Sequence, residues 1–295
     1  MNTFVGYAKT GLLLGLMTGL ILAAGYLVGG TAALPFAILF AGVGNVIALF
    51  FSHKIALASM QAQEVGPDHD LYRMVQQLAA KANLPMPRVY VSPQPAPNAF
   101  ATGRSPKHAV VCATEGLLQS LDRREVEAVM AHELAHVKHR DMLIQTVAAT
   151  LGGAVTGLGY LFMFGGASSS DDEESPLGGL GGLLVLILGP IGATILQMAV
   201  SRSREYAADS EAARLTSPEA MADALVRVHS GNARVPTDVN PAFNALMIAE
   251  PMNLRGGRSL GQMFSTHPSL ENRLENLLGP AAANAAVAPR RGRFA

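Results

Sequence analysis

The sequence predicts a mainly α-helical integral membrane protein, with four transmembrane helices and a polar α+β domain that contains a small sheet. Charged residues make up 15% of the 295-residue chain, against roughly 25% in typical soluble domains. The deficit falls in three blocks, because no Asp, Glu, Lys or Arg occurs in residues 10–52, 142–170 or 175–201. The remaining sequence is polar and carries helical and alternating patterns. This composition excludes an ordinary soluble protein.

The three uncharged blocks are long enough for four membrane spans. A hydrocarbon core about 30 Å thick takes roughly 20 apolar helical residues, so the first block holds two spans and each of the others holds one. A hairpin is expected at Gly29, Gly30 and Thr31, and the acidic run at 171–174 separates the last two spans. We expect the spans at residues 10–29, 32–52, 143–166 and 177–200.

The first span also has features of a secretory signal peptide, because Lys9 precedes a long apolar run. A second apolar span follows without an intervening polar domain. This order favours a retained membrane anchor over a cleaved signal.

Positive charges beside the spans predict the orientation, since Lys and Arg near span ends favour the cytoplasmic side. The loop GGASSSDDEESP between the last two spans carries no cation. The single Cys112 agrees with a reducing compartment. We therefore expect both termini and both polar regions to be cytoplasmic. The cations that flank the cytoplasmic span ends are Lys9, Lys54, Lys138, Arg140, Arg202 and Arg204.

The expected spans divide the chain into five regions. Residues 1–52 and 142–201 each hold a pair of spans. Residues 53–141 and 202–278 would be the two halves of one cytoplasmic domain. Residues 279–295 form an alanine-rich tail that we expect to be disordered.

The first polar region has the pattern helix, strand, loop, strand, helix. Apolar residues at helical spacing predict a helix over 68–83. The segments PRVYVS and HAVVCAT predict strands, with a turn-rich loop between them. Asp122 and Glu125 form a capping-box pattern that begins a helix through 123–140. A small sheet beside helices is the expected result.

The last of these helices carries the sequence HELAH. His132 and His136 are four residues apart, so both imidazoles can meet one tetrahedral ion. Glu133 lies beside the first histidine, where it could take a proton from the attacking water. The alternative is a polar helix face near a membrane surface, since three fixed positions can match by chance. The apolar neighbours favour a metal site, because unpaired buried His and Glu would be costly.

A catalytic zinc takes three protein ligands and keeps one open position. His139 is too distant from His132, because seven helical residues rise about 10 Å. Glu205 and Asp209 are four residues apart on an expected helix after the last span. One carboxylate could bind zinc while the other accepts the N–H of a liganding histidine. The alternative is a solvated acidic face paired with neighbouring arginines.

HELAH, SREYAAD, PNAFATG and STHPSLENRL occur together with four expected spans. This combination resembles the HtpX-type membrane zinc metalloproteases, relatives of the CaaX prenyl endopeptidases, over nearly the whole chain except the tail. The resemblance implies a zincin-like (gluzincin) cytoplasmic domain with one zinc ion per subunit. It implies zinc bound by His132, His136 and Glu205, with Glu133 as general base. Asp209 would orient a liganding histidine, expected to be His132.

Two other segments receive roles from the resemblance alone. Asn98, Ala99 and Phe100 match the segment that borders the substrate cleft, and ordinary turn chemistry is the alternative. His267 matches a histidine that stabilises the oxyanion, and a simple helix start is the alternative there. Arg273 is interpreted as a structural ion-pair residue.

The resulting hypothesis is a zinc-dependent endopeptidase at the cytoplasmic surface of a bacterial inner membrane. The resemblance implies damaged or misfolded membrane proteins as substrates, within a stress response. A non-catalytic, zinc-stabilised membrane scaffold or assembly factor is the alternative from another class, although a structural site does not need Glu133. Charges around HELAH disfavour a protease that cuts inside the bilayer. Four spans are few for the enclosed chamber that CaaX processing would use.

The expected partners are membrane-protein or peptide substrates and the lipid bilayer. The formal net charge is +0 and no basic stripe with interleaved aromatics occurs, which argues against a nucleic-acid partner. The sequence leaves the oligomeric state open.

Overall fold

The computed structural model describes residues 3–148, 150, 202–232 and 268–287. The strands are β1 Gln63–Val65, β2 Arg88–Ser92, β3 Ala99–Thr102 and β4 Val110–Thr114. Residues 142–148 are also helical. The helices are α1 Thr3–Phe50, α2 Ser52–Ser59, α3 Asp70–Lys81, α4 Glu115–Ser120, α5 Arg123–His139, α6 Arg202–Leu215, α7 Pro218–Asn232, α8 Leu270–Leu278 and α9 Pro280–Val287.

Helix α1 folds back on itself near its middle. The Asn45 side-chain amide donates to Thr18 Oγ1 at 2.9 Å, although 27 residues of straight helix would span about 40 Å. Gly30 has a φ of 60°, a conformation that favours glycine. Beyond this turn the arms approach closely, because a Cβ added to Gly25 would lie 2.8 Å from the Ala37 Cβ. The expected hairpin is therefore present as two helical arms.

The two arms of α1 differ in apolar length. Among the described residues, Gly30–Phe50 is the one helix long and apolar enough to cross a membrane, and Thr10–Ala23 is a shorter apolar helix. The predicted spans 143–166 and 177–200 lie outside the described residues, apart from 143–148 and 150. Large exposed apolar side chains on α1 include Leu12, Leu16, Tyr26, Phe36, Ile38, Leu39, Phe40 and Val46.

The sheet has four strands in the order β1-β2-β4-β3. Strands β2 and β4 are parallel, and the outer strands β1 and β3 pair antiparallel with them. The sequence predicted only the two central strands. The expectation of a loop from the first strand to the second was wrong for β3, which pairs with β4 from Ala99 opposite Ala113 to Thr102 opposite Val110.

The main core lies between this sheet and helices α3, α5 and α7. The capping box that begins α5 is present, because Asp122 accepts from the Glu125 N–H and Glu125 accepts from the Asp122 N–H. All residues of 128–137 are buried, so HELAH lies inside the protein. The predicted helix over 68–83 is observed as α3.

The expected disorder of residues 279–295 is wrong for 280–287, which form α9. Alanine is the best helix former, and proline suits the first helical position, which Pro280 occupies. Ala283 is buried against Ala222 of α7 and Leu274 of α8. The helix is thus stabilised by packing that the tail composition alone does not reveal.

Candidate metal centre

Helix α5 presents two buried histidines one turn apart. His132 and His136 are 1% and 4% exposed, and their ring planes meet edge to face at 86°. The two Nε2 atoms lie 3.1 Å apart. A pair of imidazole nitrogens this close, inside a core, requires a proton or a cation between them, because two lone pairs would otherwise face each other.

Helix α6 packs beside α5 and brings Glu205 to the same point. Its carboxylate oxygens lie 3.7 Å from His132 Nε2 and 3.4 Å from His136 Nε2. One ligand atom from each of the three residues lies within 4.8 Å of the others. Glu205 is thus brought to the same buried point as His132 and His136, from which it is 73 and 69 positions distant in the sequence.

These separations fit a tetrahedral metal ion. With metal–nitrogen and metal–oxygen bonds of about 2.0–2.2 Å, neighbouring ligand atoms of a tetrahedral site lie about 3.3–3.6 Å apart. The observed spacings of 3.1, 3.4 and 3.7 Å lie close to that range. Two imidazoles and one carboxylate are also a ligand set that zinc commonly takes at catalytic sites.

The electrostatics of the pocket favour positive charge between the histidines. Burial lowers the pKa of His132, which favours the neutral imidazole that binds metals. Burial also lowers the pKa of His136, but the carboxylates of Asp141, Glu205 and Glu133 outweigh it and raise the pKa to about 9. The same carboxylates would stabilise a bound cation.

A carboxylate lies behind His132, on the side away from Glu205. His132 Nδ1 lies 2.9 Å from Asp209 Oδ1. Arg273 of α8 donates to both oxygens of Asp209, from Nε at 2.8 Å and from Nη2 at 2.6 Å. Burial alone would raise the pKa of Asp209, but Arg273 and His132 hold it below its usual value. Asp209 is thus an ionised carboxylate close to His132 Nδ1.

Arg273 does more than the expected structural ion pair. Its Nε and Nη2 bind Asp209, and its Nη1 lies 3.8 Å from Glu205 Oε2. The side chain is 3% exposed and burial is offset by the surrounding carboxylates, so its pKa is raised. One guanidinium therefore contacts both acidic residues that approach His132.

A second carboxylate lies behind His136. Asp141 Oδ2 is 3.3 Å from His136 Nδ1, and Arg204 Nη2 is 3.3 Å from Asp141 Oδ1. Neither Asp141 nor Arg204 was predicted to take part in the site. The available signal was an acidic residue five positions after the second histidine, at the end of the helix.

The general-base candidate Glu133 is 2% exposed. Its charge contributes to the raised pKa values of His136 and Arg273, which places it in the same electrostatic environment. His139 is half-buried at the end of α5. Among the described residues, the cluster that could hold a metal ion consists of His132, His136 and Glu205 and does not include His139. That position agrees with the helical-rise argument that excluded His139 as a ligand.

The predicted substrate segment is only partly beside the site. Ala99 and Ala101 face the core that contains α5, whereas Phe100 points to the other face of the sheet and packs with Met60 and Cys112. The Asn98 side-chain oxygen accepts from the Ala99 N–H at 3.1 Å. The oxyanion candidate His267 lies outside the described residues.

Comparisons with known proteins match most of the chain. The model of the family described as Peptidase family M48 matches residues 66–281. The chain is 45% identical to a protease HtpX homolog of Desulfatibacillum aliphaticivorans, over 96% of this chain and 93% of that protein. It is 47% identical to a protease HtpX homolog of Trichormus variabilis, over 92% and 95%. It is also similar to the crystal structure of S. mikatae Ste24p, with 21% identity and a TM-score of 0.48, over 93% of this chain and 64% of that one.

Proposed function

The chain belongs to peptidase family M48 and is a metalloprotease of the HtpX type, and we propose that it is a zinc-dependent endopeptidase at the cytoplasmic surface of a bacterial inner membrane. The observation that carries this proposal is the buried convergence of His132, His136 and Glu205 at spacings near those of a tetrahedral site. One zinc ion per subunit would be bound by these three residues. A fourth position would stay open for substrate.

When bound, zinc would polarise the scissile carbonyl and make water a better nucleophile. Glu133 follows His132 directly on α5, so its carboxylate stands beside the ligands without being needed as one. We assign Glu133 to take the proton of the attacking water and to deliver it to the leaving amine. Its 2% exposure places Glu133 in the same buried region as the three ligands, which supports this role.

Asp209 and Arg273 would fix the tautomer of His132. With Asp209 ionised and 2.9 Å from Nδ1, the imidazole keeps its proton on Nδ1 and leaves the Nε2 lone pair for the metal. Arg273 holds the carboxylate by two hydrogen bonds. The ring is therefore oriented before metal or substrate binds.

Two further roles stay proposals that the family membership supports. His267 would donate to the oxyanion, a contact of about 3 kcal/mol in other hydrolases. The segment Asn98 to Phe100 would border the substrate cleft. Strand β3 ends the described sheet and packs against α5, so a substrate strand beside it would lie near the ligands. The Phe100 side chain, buried on the other face of the sheet, would then contribute packing rather than substrate contact.

The site lies at the base of apolar helices, which supports substrates at a membrane surface. Three residues after Asp141, Ile144 packs with Leu13 and Ala48 of the two α1 arms. Thr146 lies 3.0 Å from Thr102 of β3 through their hydroxyl oxygens. The segment that packs against the α1 hairpin thus begins directly after Asp141, five residues beyond the proposed ligand His136. We propose damaged or misfolded membrane proteins as the substrates, in membrane-protein quality control.

The four-span topology with cytoplasmic termini also stays a proposal. The folded-back α1, the apolar helix Gly30–Phe50 and the flanking cations support it. In this arrangement residues 1–52 and 142–201 lie in the membrane, and 53–141 with 202–278 form the protease domain.

Substitution of Glu133 by Gln tests the mechanism directly. The variant keeps the size of the side chain and all three ligands, so it should retain one zinc per chain. Loss of the base should lower the rate of cleavage of an unfolded membrane-protein substrate by about 10²- to 10⁴-fold. Zinc content and cleavage rate are measured on the same full-length preparation, with Glu127→Gln on the outer face of α5 as the matched control. A variant that keeps zinc and cuts at the normal rate would exclude Glu133 as the base and favour a scaffold role.

A further inference from the structure

A backbone turn at the end of α5 brings Asp141 back to His136. Arg140 adopts a left-handed conformation with φ of 60°, and its N–H donates to the Val137 carbonyl at 3.1 Å. The next N–H, that of Asp141, donates to the His136 carbonyl at 3.0 Å. This turn ends the helix and carries the Asp141 side chain back beneath the His136 ring, where Oδ2 lies 3.3 Å from Nδ1.

The pair that lies behind His136 is as deeply buried as the ligands. Asp141 is 1% exposed and Arg204 is 6% exposed. Arg204 precedes Glu205 in the first turn of α6, so its guanidinium is next in sequence to a proposed ligand. The Arg204 contact at 3.3 Å gives this buried carboxylate a cationic neighbour.

Asp141 and Arg204 lie shortly before and shortly after residues 151–201 in the sequence. Asp141 immediately precedes the helical residues 142–148, and its carbonyl accepts from the Gln145 N–H. Arg204 lies three residues after position 201. Both connections to the intervening segment therefore meet at one metal-binding histidine.

We propose that Asp141 and Arg204 are positioning residues for the metal site, with Arg204 holding the Asp141 carboxylate and Asp141 holding His136 so that Nε2 faces His132 and Glu205. This inference rests on the proposed metal site. His136 would thus have a carboxylate behind its ring and an arginine beside that carboxylate, as His132 has with Asp209 and Arg273. This arrangement also makes the ligand geometry depend on how the segments on either side of residues 151–201 pack together.

Zinc affinity of the full chain in detergent tests the proposal, with Asp141→Asn as the first variant. Loss of the charged acceptor should weaken zinc binding by about 10-fold or more and change the visible spectrum of the Co²⁺-substituted protein. Glu211→Gln is the matched control, because Glu211 bridges the same helices through Lys138 at 2.6 Å on the exposed side. That control should keep the zinc affinity within about twofold.

The double variant Asp141→Asn with Arg204→Gln separates positioning from simple ion pairing. It removes both charges of the buried Asp141–Arg204 contact, so thermal stability should exceed that of either single variant. Zinc affinity should stay as weak as in Asp141→Asn, because the charged acceptor is still missing. Recovery of wild-type zinc affinity in the double variant, or unchanged affinity in Asp141→Asn, would overturn the proposal.

A measurement on the unmodified protein covers the case in which the variants do not fold. In nitrogen-15 histidine spectra of the zinc-loaded chain, His136 should carry a slowly exchanging proton on Nδ1. Coordination through Nδ1, or exchange of that proton at the solvent rate, would contradict the assignment. If the wild-type chain binds no zinc, the proposed metal site itself fails, which is distinct from these outcomes.

Discussion

Helices α5 and α6 meet along one interface that has a buried side and a more exposed side, and each side pairs a glutamate of α6 with basic residues of α5. On the buried side, His132 and His136 face Glu205, and all three are at most 4% exposed. On the exposed side, Lys138 Nζ lies 2.6 Å from Glu211 Oε1, with the Lys138 side chain 39% exposed. Short contacts occur on both sides, so distance alone does not distinguish the site from a surface pair.

Burial separates the two sides energetically. An exposed ion pair contributes about 0–1 kcal/mol because water and salt screen it. A buried charge that loses its partner costs several kcal/mol. We therefore expect the buried side to be sensitive to single substitutions in both stability and metal binding, and the exposed side to tolerate them.

The largest effect on stability is expected for Arg273→Leu. The substitution keeps an apolar stem but leaves the Asp209 carboxylate buried without its two guanidinium hydrogen bonds. The loss should be about 3–5 kcal/mol, seen as a drop of roughly 10 °C in the midpoint of thermal unfolding. Arg214→Leu removes an arginine from the exposed Glu211 pair and serves as the control. Equal shifts in the two variants would mean that burial does not separate the two sides.

Removal of the third ligand should act on metal binding more than on folding. Glu205→Ala deletes the carboxylate that approaches both Nε2 atoms. Zinc affinity, measured by competition with a chelator, should fall at least 10-fold. Glu211→Ala, six residues later on the same helix, provides the comparison. If zinc retention is the same in both, the third ligand lies elsewhere.

On the exposed side, Glu211→Gln should have a small effect. Glu211 bonds Lys138 and Arg214, but both cations are well exposed. The free energy of unfolding should change by at most about 1 kcal/mol, and the change should shrink further at high salt. Cleavage rate is expected to be unchanged. A loss of stability as large as that of Arg273→Leu would contradict the contrast between the sides.

The smallest predicted effect is the pH dependence of that exposed pair. Hydrogen bonds from Arg214 and Lys138 lower the pKa of Glu211 from 4.5 to about 2. A lowered folded-state pKa means that the contribution is fully present above about pH 4.5 and is lost as pH falls towards 2. The difference in unfolding midpoint between wild type and Glu211→Gln should therefore vanish across that window. A difference that grows as pH falls would have the wrong sign.

Much of the buried side could be predicted from the sequence, because its signals are local. The capping box at Asp122 begins α5, and the spacing of His132 and His136 on one helix implies a shared metal ion. Glu205 required one additional inference, that the chain returns to the same face. In the structure, one ligand atom from each of the three residues lies within 4.8 Å of the others.

The structural features that the sequence did not predict depend on contacts between residues distant in sequence or on an unusual backbone conformation. Strand β3 lies within a segment rich in Pro, and its pairing with β4 comes from non-local hydrogen bonds. The position of Asp141 depends on a left-handed Arg140, where glycine or asparagine is the usual signal. Arg204 was interpreted as a cation that flanks a span end, and only the tertiary structure shows that it is buried.

The central claim is that His132, His136 and Glu205 bind one zinc ion between α5 and α6. X-ray absorption at the zinc edge of the full-length protein tests it directly, combined with metal analysis. The wild-type protein should hold one zinc per chain, with two imidazole nitrogens at about 2.0–2.1 Å and oxygen ligands at about 2.0–2.2 Å. The Glu205→Ala variant should lose one oxygen contribution. A sulfur ligand, a third imidazole, or an unchanged spectrum in Glu205→Ala would contradict it.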